Sequence, residues 1–252
     1  MATPILKGYY NGIFFEFLIH KEKKDAIILL EGFPSSNNKD HLIRFFYENG
    51  FNVFFPRLKG TFQSKGTFLE TNPIKDFLYF IREIKKGSAK SLWDMKEVSF
   101  SLGSINVIAD SFSGAIACGL SASSKDVSKL ILASPVLDYK KHNINDNEQD
   151  LDSLTLFVKR AYKNLYRYQF KSIQSELNKF KEISPEFYLK SNITPILLFH
   201  DANDPVVSIE HAKEICEKLK NCHLIQTDSG HGFSPKLLEN YSQKILDFLD
   251  KD

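Results

Sequence analysis

Val107-Ile-Ala-Asp-Ser-Phe-Ser-Gly114 is the stretch that decides how this chain reads. An apolar run ends in it and a helix of small residues begins. Ser111 stands at the junction, with Ala109 two residues before it and Ser113 two residues after. A nucleophile carried on a tight strand-to-helix turn has this spacing, because only small side chains fit at the flanking positions. Glycine is usual at both flanks; alanine and serine make this a degenerate form. A serine that opens a helix is also commonly an N-cap. Ser113 is a rival nucleophile, since its flanks are small too, but the strand's end at Ala109 favours Ser111.

Outward from this stretch the pattern repeats. Segments 5–10 and 13–20 are two strands joined at Asn11-Gly12, a hairpin signal between aromatic and β-branched runs. Ala26 to Leu30 is continuously apolar, as a strand buried on both faces requires. A helix is expected over 38–49, with Leu42, Ile43, Phe45 and Phe46 inward and Gly50 as its stop. Phe51 to Phe55 is the next strand. Asn72-Pro73 starts a helix to about Lys86, with Phe77, Phe80, Ile81 and Ile84 at helical spacing. After the strand Ile105–Ala109 come a helix at 113–123, a strand at 129–133, and later a strand at 195–199. A helix at 208–219, a short strand at 223–226 and a final helix at 235–250 complete the chain. Alternating strands and helices predict an α/β fold, a mostly parallel twisted sheet with helices on both faces.

The alternation fails between Tyr139 and Asn192. Leu154, Phe157, Val158, Ala161 and Leu165, then Phe170, Ile173, Leu177 and Phe180, predict two or three amphipathic helices. Such a stretch is a helical crossover or a cap over the sheet edge. Its length favours the cap. The expected organisation is a core of residues 1–138 and 193–252 with a helical insertion at 139–192.

Composition narrows the function classes. The chain has 252 residues, 42% hydrophobic and 25% charged, with a net charge of +2. That balance carries no field arguing for nucleic acid. No apolar run approaches the ~20 residues of a membrane span, and the first ten residues lack signal-peptide features. Cys118, Cys216 and Cys222 have no paired spacing, so free structural thiols and a cytoplasmic location are expected, not a disulfide or zinc site. There is no metal-ligand cluster or phosphate-cradling glycine loop, so no cofactor is expected.

A serine hydroxyl needs a histidine base, and the histidine needs a carboxylate to fix its tautomer. Asp204 lies in Phe199-His-Asp-Ala-Asn-Asp-Pro-Val-Val207, past one predicted strand, and His231 in Asp228-Ser-Gly-His-Gly-Phe233, past the last. Asp201 is the rival acid; Asp204 stands a few residues past the strand, as the acid should. His200 ends a strand and could support the site from behind. The order Ser, Asp, His, each at a strand end, resembles the α/β-hydrolase-fold serine hydrolases. Asp204-Pro-Val-Val and Gly230-His-Gly-Phe233 carry the resemblance, and Arg57-Leu-Lys-Gly-Thr-Phe-Gln-Ser-Lys-Gly66 loosely matches a loop found after the fourth strand. It covers nearly the whole chain except the cap.

The resemblance implies Ser111 as nucleophile, Asp204 as acid and His231 as base. An oxyanion hole is expected from the backbone N–H groups of Phe112 and Phe33, the latter in a loop where relatives carry His-Gly-x and this chain has Glu31-Gly32-Phe33. Glu31 there either tunes specificity or points away. The expected activity is hydrolysis of an ester or thioester of a small or medium acyl group through an acyl-enzyme. Phe157, Tyr162, Tyr166 and Tyr168 of the cap would line an apolar acyl pocket. An acyltransferase or peptidase with the same triad, or a binding protein on the same fold, are the alternatives.

Overall fold

A computed structural model of the chain describes residues 3–35, 38–142 and 150–251. It opens with the antiparallel hairpin of β1 (Leu6–Tyr10) and β2 (Ile13–Leu18). Asn11 and Gly12 both take positive φ, 45° and 82°, as a two-residue hairpin turn of this hand requires. β3 (Lys24–Leu30), α1 (Asp40–Glu48), β4 (Asn52–Pro56) and α2 (Pro73–Ile84) follow. The Asn72 side chain caps α2 by accepting the Ile74 N–H at 2.9 Å, with Pro73 in the first turn. Next come β5 (Ser88–Lys90), β6 (Glu97–Ser99), β7 (Leu102–Asp110), α3 (Gly114–Ser123) and β8 (Val127–Ala133). Between β8 and β9 (Ile196–Asp201) lie α4 (Leu151–Ala161), α5 (Ile173–Leu177) and α6 (Pro185–Ser191). α7 (Ile209–Lys218), β10 (Cys222–Thr227) and α8 (Pro235–Asp250) end the chain.

Eight strands form one sheet in the order β1-β2-β4-β3-β7-β8-β9-β10. Only β1/β2 and β2/β4 are antiparallel; every other pair is parallel. Successive side chains of a strand point to opposite faces, so the apolar runs feed two cores. Ile27, Leu29, Val53, Phe55, Ile108, Ile131 and Leu197 pack with Leu42 and Phe46 of α1 and Leu237 and Ile245 of α8. Ile28, Leu30, Phe54, Val107, Leu130 and Leu198 pack with α2, α3 and α7 on the other face. The strand ends that carry Asp110, Ala133, Asp201 and Thr227 lie side by side at one edge of the sheet.

The β5/β6 hairpin has no counterpart in the sequence reading. Its strands are three residues each and show no apolar alternation. Residues 143–149, within the expected cap, lie outside the described residues.

The cysteines correct an expectation. Cys216 and Cys222 form a disulfide, with their Cα atoms 5.1 Å apart, while Cys118 is free and buried. Their spacing matches no disulfide framework. However, α7 stops at Lys218, and a tight turn returns the chain, the Cys222 N–H donating to Leu219 O at 3.1 Å. A cytoplasmic location therefore draws no support from free thiols. Replacing both cysteines by alanine is expected to lower stability by about 2 kcal/mol, by loop-closure entropy. The check is urea unfolding, in which dithiothreitol should shift the wild-type midpoint and leave the variant's unmoved.

Candidate active site

β7 delivers its last residue, Asp110, to the sheet edge, and Ser111 follows with φ 47°. This strained conformation is rare for a residue with a side chain, and here it turns the chain from strand to helix in a single step. Ser111 to Ser113 make one 3-10 turn before α3. The turn is held by the segment after β8: the Val136 N–H donates to Ser111 O at 2.8 Å, and the Ala115 N–H to Val136 O at 2.9 Å. A Cβ on Gly114 would stand 2.3 Å from the Pro135 Cβ, so glycine is required at this close approach. Ser113 is fully buried, and its hydroxyl donates to the carbonyl of Glu31. Its hydroxyl is committed to the scaffold, whereas Ser111 is half-buried.

Asp204 and His231 are brought together directly. The Nδ1 of His231 lies 2.8 and 3.0 Å from the two carboxylate oxygens of Asp204. A carboxylate only accepts, so Nδ1 carries a proton, and in the neutral ring Nε2 then keeps a free lone pair. The loop that presents Asp204 is tied by its own backbone: Asp204 Oδ1 accepts from the Val206 N–H at 2.8 Å and the Val207 N–H at 3.1 Å. Gly230 and Gly232, at φ 77° and 70°, flank His231 and supply the left-handed turns that project it.

Asp201, the rival acid, has a different task. Its carboxylate accepts the Gly230 N–H at 2.6 Å and the Asn203 N–H at 2.8 Å, joining the two loops. His200 is fully buried behind the site, 3.8 Å from Asp204, and donates through Nε2 to Val207 O at 2.9 Å. Burial pushes its pKa below the ordinary imidazole value, favouring a neutral ring.

Burial alone pushes the Asp204 carboxyl upward. The hydrogen bond and charge of His231, the Ser134 hydroxyl and the Val206 N–H outweigh it and bring the pKa from 3.8 down to about 2. A carboxyl depressed by folding stabilises the protein above its unfolded pKa and loses that contribution as pH falls through the folded one. About 2 kcal/mol of stability is therefore expected to be present above pH 4 and to disappear toward pH 2. Stability measured by denaturant against pH should show this acid limb, and Asp204→Asn should flatten it.

Among the described residues, the Ser111 hydroxyl makes no hydrogen bond to His231. The two loops meet instead across Asp110. Its Oδ2 lies 3.4 Å from where a Cβ on Gly232 would stand, and its Oδ1 3.5 Å from the same position on Gly32. Lys39 Nζ reaches Asp110 Oδ2 at 3.2 Å. The Ser111 Oγ is 3.8 Å from that Gly32 position, which sets the Gly32-Phe33 loop against the serine. The sequence reading missed Asp110 and Lys39 as site neighbours, although Asp110 lies within the stretch that it began from.

Glu31 points away from the loop's open side. Its carboxylate accepts from Arg57 Nη1 at 3.1 Å, the Leu58 N–H at 3.4 Å and Thr61 Oγ1 at 3.2 Å. Arg57 Nη2 reaches Glu16 at 3.0 Å, and the guanidinium lies over the Phe55 ring at 3.9 Å. The acid is an anchor for the 57–61 loop.

The rings around the serine form one cluster. Phe33 packs against Phe68 at 5.1 Å, Phe112 at 5.5 Å and Tyr166 at 5.3 Å between centroids. Tyr139 packs with its ring tilted against Phe112 and donates its hydroxyl to the Phe112 carbonyl. The Tyr166 hydroxyl accepts the Ser35 N–H at 2.8 Å. Tyr162 lies on Tyr166 at 5.6 Å, and Phe157 on Tyr162 at 6.3 Å. Tyr168 turns aside, donating to Thr155 O at 2.7 Å. Arg167 clasps this segment to the core by donating to the carbonyls of Phe62 and Ser64.

A family model described as TAP-like protein, of the α/β-hydrolase group, matches residues 178–251, which hold Asp204 and His231. No curated protein matches the chain in sequence. Among solved structures, an esterase from Pyrococcus furiosus is similar at a TM-score of 0.65 and 18% identity, covering 98% of this chain and 89% of that one. Est1E from Butyrivibrio proteoclasticus, with ferulic acid bound, is similar at a TM-score of 0.68 and 16% identity, covering 97% of each. A predicted CIB-like hydrolase from Thermoplasma acidophilum is similar at 0.60 and 17%, covering 99% and 98%. The sheet order, the parallel core behind an antiparallel hairpin, and these likenesses agree that the chain has the α/β-hydrolase fold.

Proposed function

We propose that the chain is a serine hydrolase that cleaves carboxylic esters or thioesters of small to medium acyl groups. The observation that carries this reading is the His231 tautomer. With Nδ1–H held by Asp204, Nε2 is free to act as a base toward the half-buried serine on its strained turn. In this reading Ser111 Oγ attacks the acyl carbonyl while His231 Nε2 takes its proton. The Phe33 and Phe112 N–H groups hold the oxyanion; the first turn of a helix leaves such donors unpaired. His231 then protonates the leaving alcohol or thiol, and the acyl group remains on Ser111. Water, deprotonated by His231, attacks the acyl-enzyme and returns the serine.

Residues 139–192 act as a cap on the core of 1–138 and 193–252, with Phe157 and Tyr162 contributing to the acyl pocket. Support comes from the ring series that links both to Phe33. The test is a fluorophosphonate probe followed by peptide mapping, with turnover of acyl esters and thioesters of graded length. Label on Ser111 and ester turnover are expected. Absence of both from the folded protein would reject the reading.

A further inference from the structure

The outward face of α4 and the turn after it carries apolar side chains that stand largely in solvent. Leu156 is 59% exposed, Phe157 54% and Leu165 45%. The same helix buries Leu151, Leu154 and Val158 on its opposite face, so the exposed set is a second apolar stripe. Exposed apolar side chains scattered singly need no explanation, but two adjacent on α4 and a third on the 3-10 turn that follows it do.

Asp150 and Asp152 open α4, and the charges that follow them along the stripe are basic. From Ser153 to Lys171 the chain holds five basic residues, Lys159, Arg160, Lys163, Arg167 and Lys171, and no acidic one. Lys159, Arg160 and Lys163 are exposed. Lys65, in the loop that docks against this segment through the Phe62 N–H and Leu165 O, adds a further exposed cation. The helix C-terminus accounts for favourable placement of Lys159 and Arg160. It does not account for three large apolar groups in water on either side of them.

We infer that this face is a docking surface for an anionic lipid interface. A helix with exposed leucine and phenylalanine among lysine and arginine lies in the headgroup plane, its apolar side chains inserted and its cations on the acidic headgroups. A second copy of the chain is the poorer occupant, because a two-fold contact through this face would set the exposed Lys159, Arg160 and Lys163 against their own copies. The surface also connects inward: Phe157, Tyr162, Tyr166 and Phe33 are in ring contact in series, from the stripe to the loop beside Ser111. The inference stands on exposure and charge and is independent of the role of Ser111.

The experiment is flotation of the full chain with vesicles of phosphatidylcholine containing 30% phosphatidylglycerol, against pure phosphatidylcholine. Binding is expected to the acidic vesicles only, and to fall at 0.5 M salt. Lys159→Gln/Arg160→Gln/Lys163→Gln should weaken partitioning by about a hundredfold. Leu156→Ser/Leu165→Ser should weaken it as well, and both variants sit at exposed positions, so circular dichroism should show them folded. No binding to acidic vesicles, or binding that neither variant reduces, would overturn the inference. So would sedimentation showing that the wild type is a dimer which the leucine variant dissociates.

Discussion

Ser111→Ala is expected to lower ester turnover by at least about 10⁴-fold and to abolish fluorophosphonate labelling, with little change in stability. The magnitude follows from how nucleophile, base and acid act as a unit. Removing the nucleophile alone forfeits nearly all that the unit contributes, leaving only binding and oxyanion stabilisation. Alanine also relieves nothing and breaks nothing in the fold, since the Ser111 side chain makes no hydrogen bond among the described residues. Ser113→Ala is the matched control. Its hydroxyl is buried against the Glu31 carbonyl, so its loss should cost about 1 kcal/mol of stability while labelling at Ser111 persists. Turnover by Ser111→Ala near the wild-type rate would show that the hydroxyl is not the nucleophile. Loss of labelling in Ser113→Ala with Ser111 intact would reverse the assignment of the two serines.

The largest effect on stability is expected at Arg57. Arg57→Met leaves Glu31 and Glu16, with side chains 1% and 13% exposed, without their shared cation. Breaking a buried ion pair from one side costs about 3–5 kcal/mol, because the remaining charge is neither solvated nor compensated. In a domain of this size that corresponds to a fall of roughly 10 °C in the melting temperature. Arg57→Met/Glu31→Gln should recover much of the loss, since the buried charge leaves with its partner. If the single variant melted within about 2 °C of wild type, the triad of Glu16, Arg57 and Glu31 would not be a stabilising anchor. The pair also reaches the site. Glu31 joins the 57–61 loop to the end of β3, two residues before Phe33, and receives the Ser113 hydroxyl on its carbonyl. A loosened anchor should therefore lower turnover more than substrate affinity.

Most of the fold was legible because it depends on local patterns. The apolar runs at 26–30 and 195–199, and the run at 105–109 that Asn106 alone interrupts, are strands covered on both faces, and the structure covers them so. Asn11-Gly12, Asn72-Pro73 and Gly230-His-Gly232 are legible for a related reason: each dictates a backbone angle that few other residues take. The β5/β6 hairpin was not, because Ser88-Ala-Lys90 and Glu97-Val-Ser99 are too short to show a period. The disulfide was not, because a six-residue separation says nothing about which way the chain turns between the two thiols.

For the site, sequence alone determined which residues could do the chemistry and in what order: Ser111, Asp204 and His231, each just beyond a strand of one parallel sheet. Spacing and residue type suffice for that, since a parallel sheet brings its strand ends to one edge. Only the tertiary structure decided the choices among neighbours. It gave Asp204 to His231 and Asp201 to the Gly230 N–H, although the two carboxylates are three residues apart. It buried Ser113, and it turned Glu31 toward Arg57. The physical reason is the same in each case. A carboxylate or hydroxyl at such an edge has several reachable partners, and the one it takes is set by the packing of loops distant in sequence.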